Sequence, residues 1–138
     1  MAADNQYVSR SVESGQVSKG LLWTGWILTV LPLLFMVSGA IAGLLKPELM
    51  MQGLSELGYS LTLGRWITIL ELIYIVIYLV PRTSVLGVIL LTSYLGGATA
   101  SHLRVGQSPV IAIVVCIMLW AGLYCREPRL RALIPFRK

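Results

Sequence analysis

The chain has 138 residues, 57% of them apolar and 12% charged, with a net charge of +5. That charge content is about half that of an ordinary soluble domain, and the apolar content is too high for a disordered chain, so both classes are excluded. The solvent for most of the sequence must be lipid.

Residues 1–20 are polar and rich in Ser and Gly, and the run 21–45 that follows carries no charge. A secretory signal would show a positive cluster before an apolar core of about 7–15 residues, with a cleavage site after it. This run is longer and its flanks differ, so it is expected to be a membrane helix ending at Lys46-Pro47-Glu48. Gly25, Thr29, Pro32, Met36, Gly39, Gly43 and Lys46 recur at spacings of three and four, giving one helical face of small or polar residues. Gly39 and Gly43 in particular are expected to let a neighbouring helix approach closely, in the bundle or in a homo-oligomer. Between 46 and 65 the sequence suits a lid or a surface helix, with 52–61 amphipathic and Gly58 as the stop.

The second span is expected over about 66–80 and contains an acidic residue, Glu71, well inside an apolar stretch. A charge there costs about 2.5–3.5 kcal/mol, so Glu71 should face the bundle interior and find a partner or hold a proton. Thr68, Glu71, Tyr74 and Tyr78 share its face, which leaves two readings open: a pair that fixes helix register, and a site. The third span, about 85–101, runs into GGATASHLRVG from Gly96 to Gly106, where Gly96 and Gly97 open the backbone to close packing. Thr92, Gly96, Thr99 and His102 share a face, and His102 is the one side chain of a type that commonly exchanges protons near neutrality. The fourth span is expected over 109–125, with Pro109 at its first turn. Cys116 and Cys125 lie on it nine residues apart, about 13 Å along a helix, which is too far for a disulfide. One histidine and no C-x-x-C leave no metal pattern.

Four spans put both termini on one side. Arg10, Lys19, Arg82 and the tail residues Arg126, Arg129, Arg131, Arg137 and Lys138 lie on that side, against Lys46, Arg65 and Arg104 on the other, so both termini are expected to be cytoplasmic. The expected architecture is therefore an all-α integral membrane four-helix bundle over 21–125, with a polar tail at 1–20 and a basic tail at 126–138. That basic tail faces anionic lipid headgroups, and nucleic acid is not an expected partner.

Lys46, Glu71, His102 and Arg104 all fall toward the outer leaflet in this drawing, above Tyr74 and Thr99. A polar-headed pocket with an apolar floor would suit an amphiphile such as a quinone, a sterol-like or polyprenyl headgroup, or an aromatic metabolite. Glu71 with His102 would serve as a proton-exchanging pair for a quinone.

The segment 65–106 resembles the DoxX-like family of small four-helix bacterial membrane proteins, within the DoxX/DoxD group. The resemblance is carried by Glu71-Leu72, by the turn from Tyr78 to Thr83, and by YLGGATASHLR from Tyr94 to Arg104, with Lys46-Pro47-Glu48 behind the first span. It implies a home in the bacterial cytoplasmic membrane and an association with membrane oxidoreductase assemblies that use quinone as acceptor. Glu71, His102, Arg104 and Lys46 are the motif positions it carries over. The chain has no self-contained catalytic, metal or redox-cysteine motif, so electrons would come from a partner subunit or go directly to a bound ligand. Two other readings stand beside this one. One is a binding or transport protein for a hydrophobic metabolite, without chemistry; the other is a scaffold subunit in which Glu71 and Arg104 form a structural pair.

Overall fold

The computed structural model describes residues 18–133, all of whose regular structure is helical. The helices are α1 (Lys19–Leu45), α2 (Pro47–Glu56), α3 (Leu61–Leu79), α4 (Ser84–Arg104), α5 (Val110–Arg126) and α6 (Pro128–Leu133). The tail at 1–17 and the last basic residues, Arg137 and Lys138, lie outside the described residues.

Two serines set helix starts. The Ser18 hydroxyl accepts from the Leu21 amide and the Ser60 hydroxyl from the Leu63 amide, each at 3.3 Å, satisfying donors that a helix N-terminus otherwise leaves unpaired. The cap at Ser60 begins α3 at Leu61, upstream of the uncharged stretch at 66, because a capped helix continues through Arg65 at the interface. At its other end the sequence Val80-Pro81-Arg82-Thr83 turns the chain directly into α4.

The helices α1, α3 and α4, with 27, 19 and 21 residues, are long and apolar enough to cross a membrane. The fourth long helix, α5, is apolar with 17 residues. The four form a ring in which α1 packs on α3 and α5, and α4 on the same two, with α1 and α4 across the bundle from each other. Successive neighbours run antiparallel: Gly25 near the start of α1 lies against Gly122 and Cys125 near the end of α5, so the first and last described residues share one end of the bundle. Leu33, Met36, Ile75, Val88, Leu91, Leu119 and Leu123 fill the interior. The outer surface carries Trp23, Leu31, Leu34, Phe35, Trp66, Val76, Ile111 and Ile117, each more than half exposed. An apolar coat of this extent is solvated by lipid rather than water.

A hydrogen-bonded pin runs through the centre. Tyr78, with no exposed surface, donates from its hydroxyl to the Leu119 carbonyl at 2.9 Å and lies 3.3 Å from the Thr29 hydroxyl, so it joins α1, α3 and α5. A second tie, between α4 and α5, is the Trp120 indole N–H donating to Thr92 Oγ1 at 2.8 Å. At the terminal end the Arg126 guanidinium stacks 4.4 Å from the Trp26 ring centroid and 5.5 Å from that of Tyr78.

One glycine of the expected face, Gly25, lies in a tight helix contact, with Cys125 and Gly122 within 3.0 Å of a methyl placed there; the other tight contacts fall elsewhere. Gly87 packs so tightly on Tyr78 that a methyl there would overlap the Tyr78 backbone. At Gly122 it would meet Thr29 Oγ1 at 2.5 Å and the Gly25 carbonyl at 3.0 Å. Gly39, Gly96 and Gly97 have nothing within 4 Å of such a methyl, and Gly43 meets Met50 of α2 at 3.1 Å. At Gly39, Gly96 and Gly97 no neighbouring helix comes that close, and at Gly43 the nearest atoms belong to α2. The reason is geometric: a small residue permits close approach, but the crossing point of two helices decides which small residue is used. Cys116 and Cys125 are both free thiols.

Candidate functional site

α1 and α3 meet where Thr29 touches Tyr78, and toward the other end of the bundle α2 packs on both of them. Pro47 at the first turn of α2 suits an abrupt restart after Lys46. None of α2 is buried, and its apolar contacts with the bundle include Met50 against Gly43 and Leu54 against Gly64. Gly58 then ends it: with φ of +74°, this residue lets the Tyr59 amide reach back to the Leu54 carbonyl at 2.9 Å.

The coverage is incomplete. A cavity of about 370 Å³ remains between α1, α2 and α3, lined by Gly39, Ala40 and Gly43 on one side, Met50 and Leu54 above, and Thr68, Glu71 and His102 on the other. A second cavity of about 390 Å³ lies on the opposite side of α2's end, lined by Tyr59, Ile67, Tyr94, Gly97, Ser101 and His102. His102, Leu54 and Leu57 border both. Between them, the Tyr94 hydroxyl donates to Glu71 Oε2 at 2.8 Å, so the buried carboxyl of the first cavity is held by a phenol of the second. Burying a carboxyl without a partner is costly, and this bond offsets part of that cost.

His102 is held as closely. α4 ends in a reversal at Gly106, φ +75°, with the Gln107 amide bonding back to the His102 carbonyl at 2.9 Å. That fold-back lays the Gln107 side chain against the ring, where Oε1 is 2.8 Å from His102 Nδ1, while Gln107 Nε2 donates to Glu56 Oε2 at 2.7 Å. Glu56 lies at the end of α2, so the same relay also ties α2 to α4. The Tyr59 hydroxyl, 2.6 Å from Ser101 Oγ, and Arg104, donating to the Leu57 carbonyl, add two more ties. Replacing Gly106 with Ala puts a side chain at positive φ, which costs about 1–2 kcal/mol. We expect Gly106→Ala to lower the melting temperature and to speed hydrogen exchange at Gln107; unchanged exchange would show that the reversal is not held by this glycine.

The family model described as DoxX-like matches residues 27–123. The chain belongs to the DoxX-like family. No curated protein and no solved structure matches it. The matched stretch contains every residue that lines the two cavities, from Gly39 to His102.

Of the residues expected to form a site in this DoxX-like chain, Glu71 and His102 line one cavity. Lys46 is exposed at the junction of α1 and α2. Arg104 is exposed too, with its guanidinium 5.8 Å from the Tyr59 ring centroid and donating to the Leu57 carbonyl. The pairing of Glu71 with Arg104 that a scaffold reading requires is thus replaced by Glu71 with Tyr94. Tyr74 is half-buried against the core and Thr99 half-buried on α4, and neither is among the cavity-lining residues. Sequence reasoning missed Tyr94 and Gln107. A depth count locates the first: Glu71 lies eight residues before the end of α3 and Tyr94 ten after the start of α4, which places them within about 3 Å of the same depth in an antiparallel hairpin. Gln107, just behind the glycine that ends a helix carrying a histidine, is where a helix-ending reversal returns the chain to that histidine.

Proposed function

We propose that this DoxX-like protein binds an amphiphile with a compact polar head, of the quinone class, in the cavity between α1, α2 and α3. It acts there as a membrane component of an oxidoreductase system, in the bacterial cytoplasmic membrane, with all four long helices crossing and both termini cytoplasmic. The observation that carries this reading is one cavity lined by Glu71, His102 and Thr68 among residues that are otherwise small or apolar. At about 370 Å³ it has the size of a small-molecule site. It lies between helices whose outer faces are apolar, so an apolar tail has lipid beside it.

The test compares wild type with Glu71→Gln, each purified in mild detergent and extracted with organic solvent. Extracts are analysed by mass spectrometry and by quinone absorbance before and after borohydride. Wild type is expected to carry a near-stoichiometric amphiphile that the variant loses about tenfold or more, as expected for removing a charged or proton-holding partner in a buried site. Extracts of both proteins containing only bulk lipid would reject the reading.

A further inference from the structure

We infer that the head taken by the Glu71/His102 cavity carries a hydroxyl, so that the hydroquinone form of an aromatic amphiphile binds in preference to the quinone form. This rests on the amphiphile reading of the same cavity and adds which chemical form fits it.

The relay that orients His102 begins outside the cavity, at Glu56. A carboxylate only accepts hydrogen bonds, so the Gln107 atom 2.7 Å from Glu56 Oε2 is the amide nitrogen. The Gln107 oxygen therefore faces His102 Nδ1 at 2.8 Å. An amide oxygen only accepts as well, so Nδ1 carries the hydrogen. In a neutral imidazole the other nitrogen, Nε2, is then bare and an acceptor. No described residue donates to it, and His102 borders both cavities.

Glu71 adds a less selective partner. Its Oε2 takes the Tyr94 hydrogen, and Oε1 has no hydrogen-bond partner among the described residues. That oxygen donates if Glu71 holds a proton and accepts if it does not. A hydroxyl on the ligand satisfies either state, and it can donate to His102 Nε2. A carbonyl or an ether only accepts, and bound at His102 it would face a bare nitrogen with no hydrogen between them. An acceptor that the ligand covers without supplying a donor weakens binding by about tenfold or more. Gln107 is a positioning residue in this scheme: it never touches the ligand, but it fixes which ring nitrogen is bare.

The probes are a short-chain alkyl hydroquinone, the matching alkyl benzoquinone and the hydroquinone dimethyl ether. They are titrated under argon onto the full chain in detergent, after exchange of copurified lipid. The measurement is made at about pH 8, above the range in which imidazoles ordinarily titrate. The hydroquinone is expected to bind about tenfold or more tightly than the other two. In Gln107→Leu, that preference should fall to within about threefold while the ether still binds. A quinone or ether that binds wild type as tightly as the hydroquinone would overturn this inference and leave the amphiphile reading standing. If none of the three binds, both fall. Should Gln107→Leu keep the full preference, the relay does not set it and the inference fails; should that variant not fold, the wild-type ranking alone decides.

Discussion

Gly87→Ala is expected to abolish the stably folded protein, while Gly96→Ala and Gly97→Ala are expected to leave it intact. All three add one methyl to the same helix, α4, and all three should gain up to about 1 kcal/mol of helix propensity over glycine. The surroundings reverse the sign at one of them. At Gly87 the new methyl overlaps the backbone of Tyr78, nine residues earlier and across the tight turn between α3 and α4. Flexible side chains can yield to an added methyl, but a packed helix backbone yields only if the helices part, at a cost of about 3 kcal/mol or more. Parting also moves Tyr78, whose hydroxyl joins α3 to the Leu119 carbonyl of α5 and touches Thr29 of α1. The damage therefore spreads to three helices. The check is the yield of monodisperse protein by size exclusion in detergent, with a thermal melt of whatever is recovered. A Gly87→Ala variant that melts like wild type would show that the hairpin does not close at this point. Gly96 and Gly97 have open space, so their variants should melt at or slightly above the wild-type temperature.

The contrast between those glycines marks what the sequence makes legible. Long uncharged runs identify the helices because lipid demands an apolar surface on every outward face, and the membrane character of α1, α3 and α4 follows directly. The amphipathic segment stopping at Gly58 is also readable, since an αL residue after a short helix is a local property. Crossing points are not local. The G-x-x-x-G of Gly39 and Gly43 has the pattern of a helix contact, yet the close approaches between long helices fall at Gly25, which heads the same face, and at Gly87 and Gly122, which no repeat announces. The site divides in the same way. Depth along each helix can be counted, which assigns Glu71 and His102 to one end, and both line the first cavity. Rotation about the axis is harder to assign near a helix terminus: Arg104 follows His102 by two residues, about 200° around α4, and so turns to the Leu57 carbonyl instead of the cavity. Tyr94 escaped because hydropathy reads its ring as apolar, while its hydroxyl is the part that matters.

Tyr94→Phe and Glu71→Gln separate what holds the bundle together from what meets a ligand. Removing the Tyr94 hydroxyl leaves Glu71 buried with no donor from the protein, because its only side-chain partner among the described residues is that phenol. The expected cost is about 1.5–3 kcal/mol, the range for hydrogen bonds to charged groups and for orphaned buried polar atoms. For a chain of this size that is a drop of several degrees or more in melting temperature. Glu71→Gln is different, since its amide oxygen can still accept from Tyr94 while the charge and the exchangeable proton are gone. Its melting temperature should stay close to that of wild type, within the effect of about 1 kcal/mol, even as the bound amphiphile is lost. The double variant supplies the coupling: if the two groups act through their mutual bond, Glu71→Gln should recover part of the stability lost in Tyr94→Phe, because a neutral amide without its partner costs less to bury than a carboxylate. Strictly additive melting temperatures across the cycle would mean that the 2.8 Å contact contributes nothing to the fold. Recovery in the double variant, together with ligand loss in Glu71→Gln alone, would place a stabilising bond and a binding group on the two oxygens of one carboxyl.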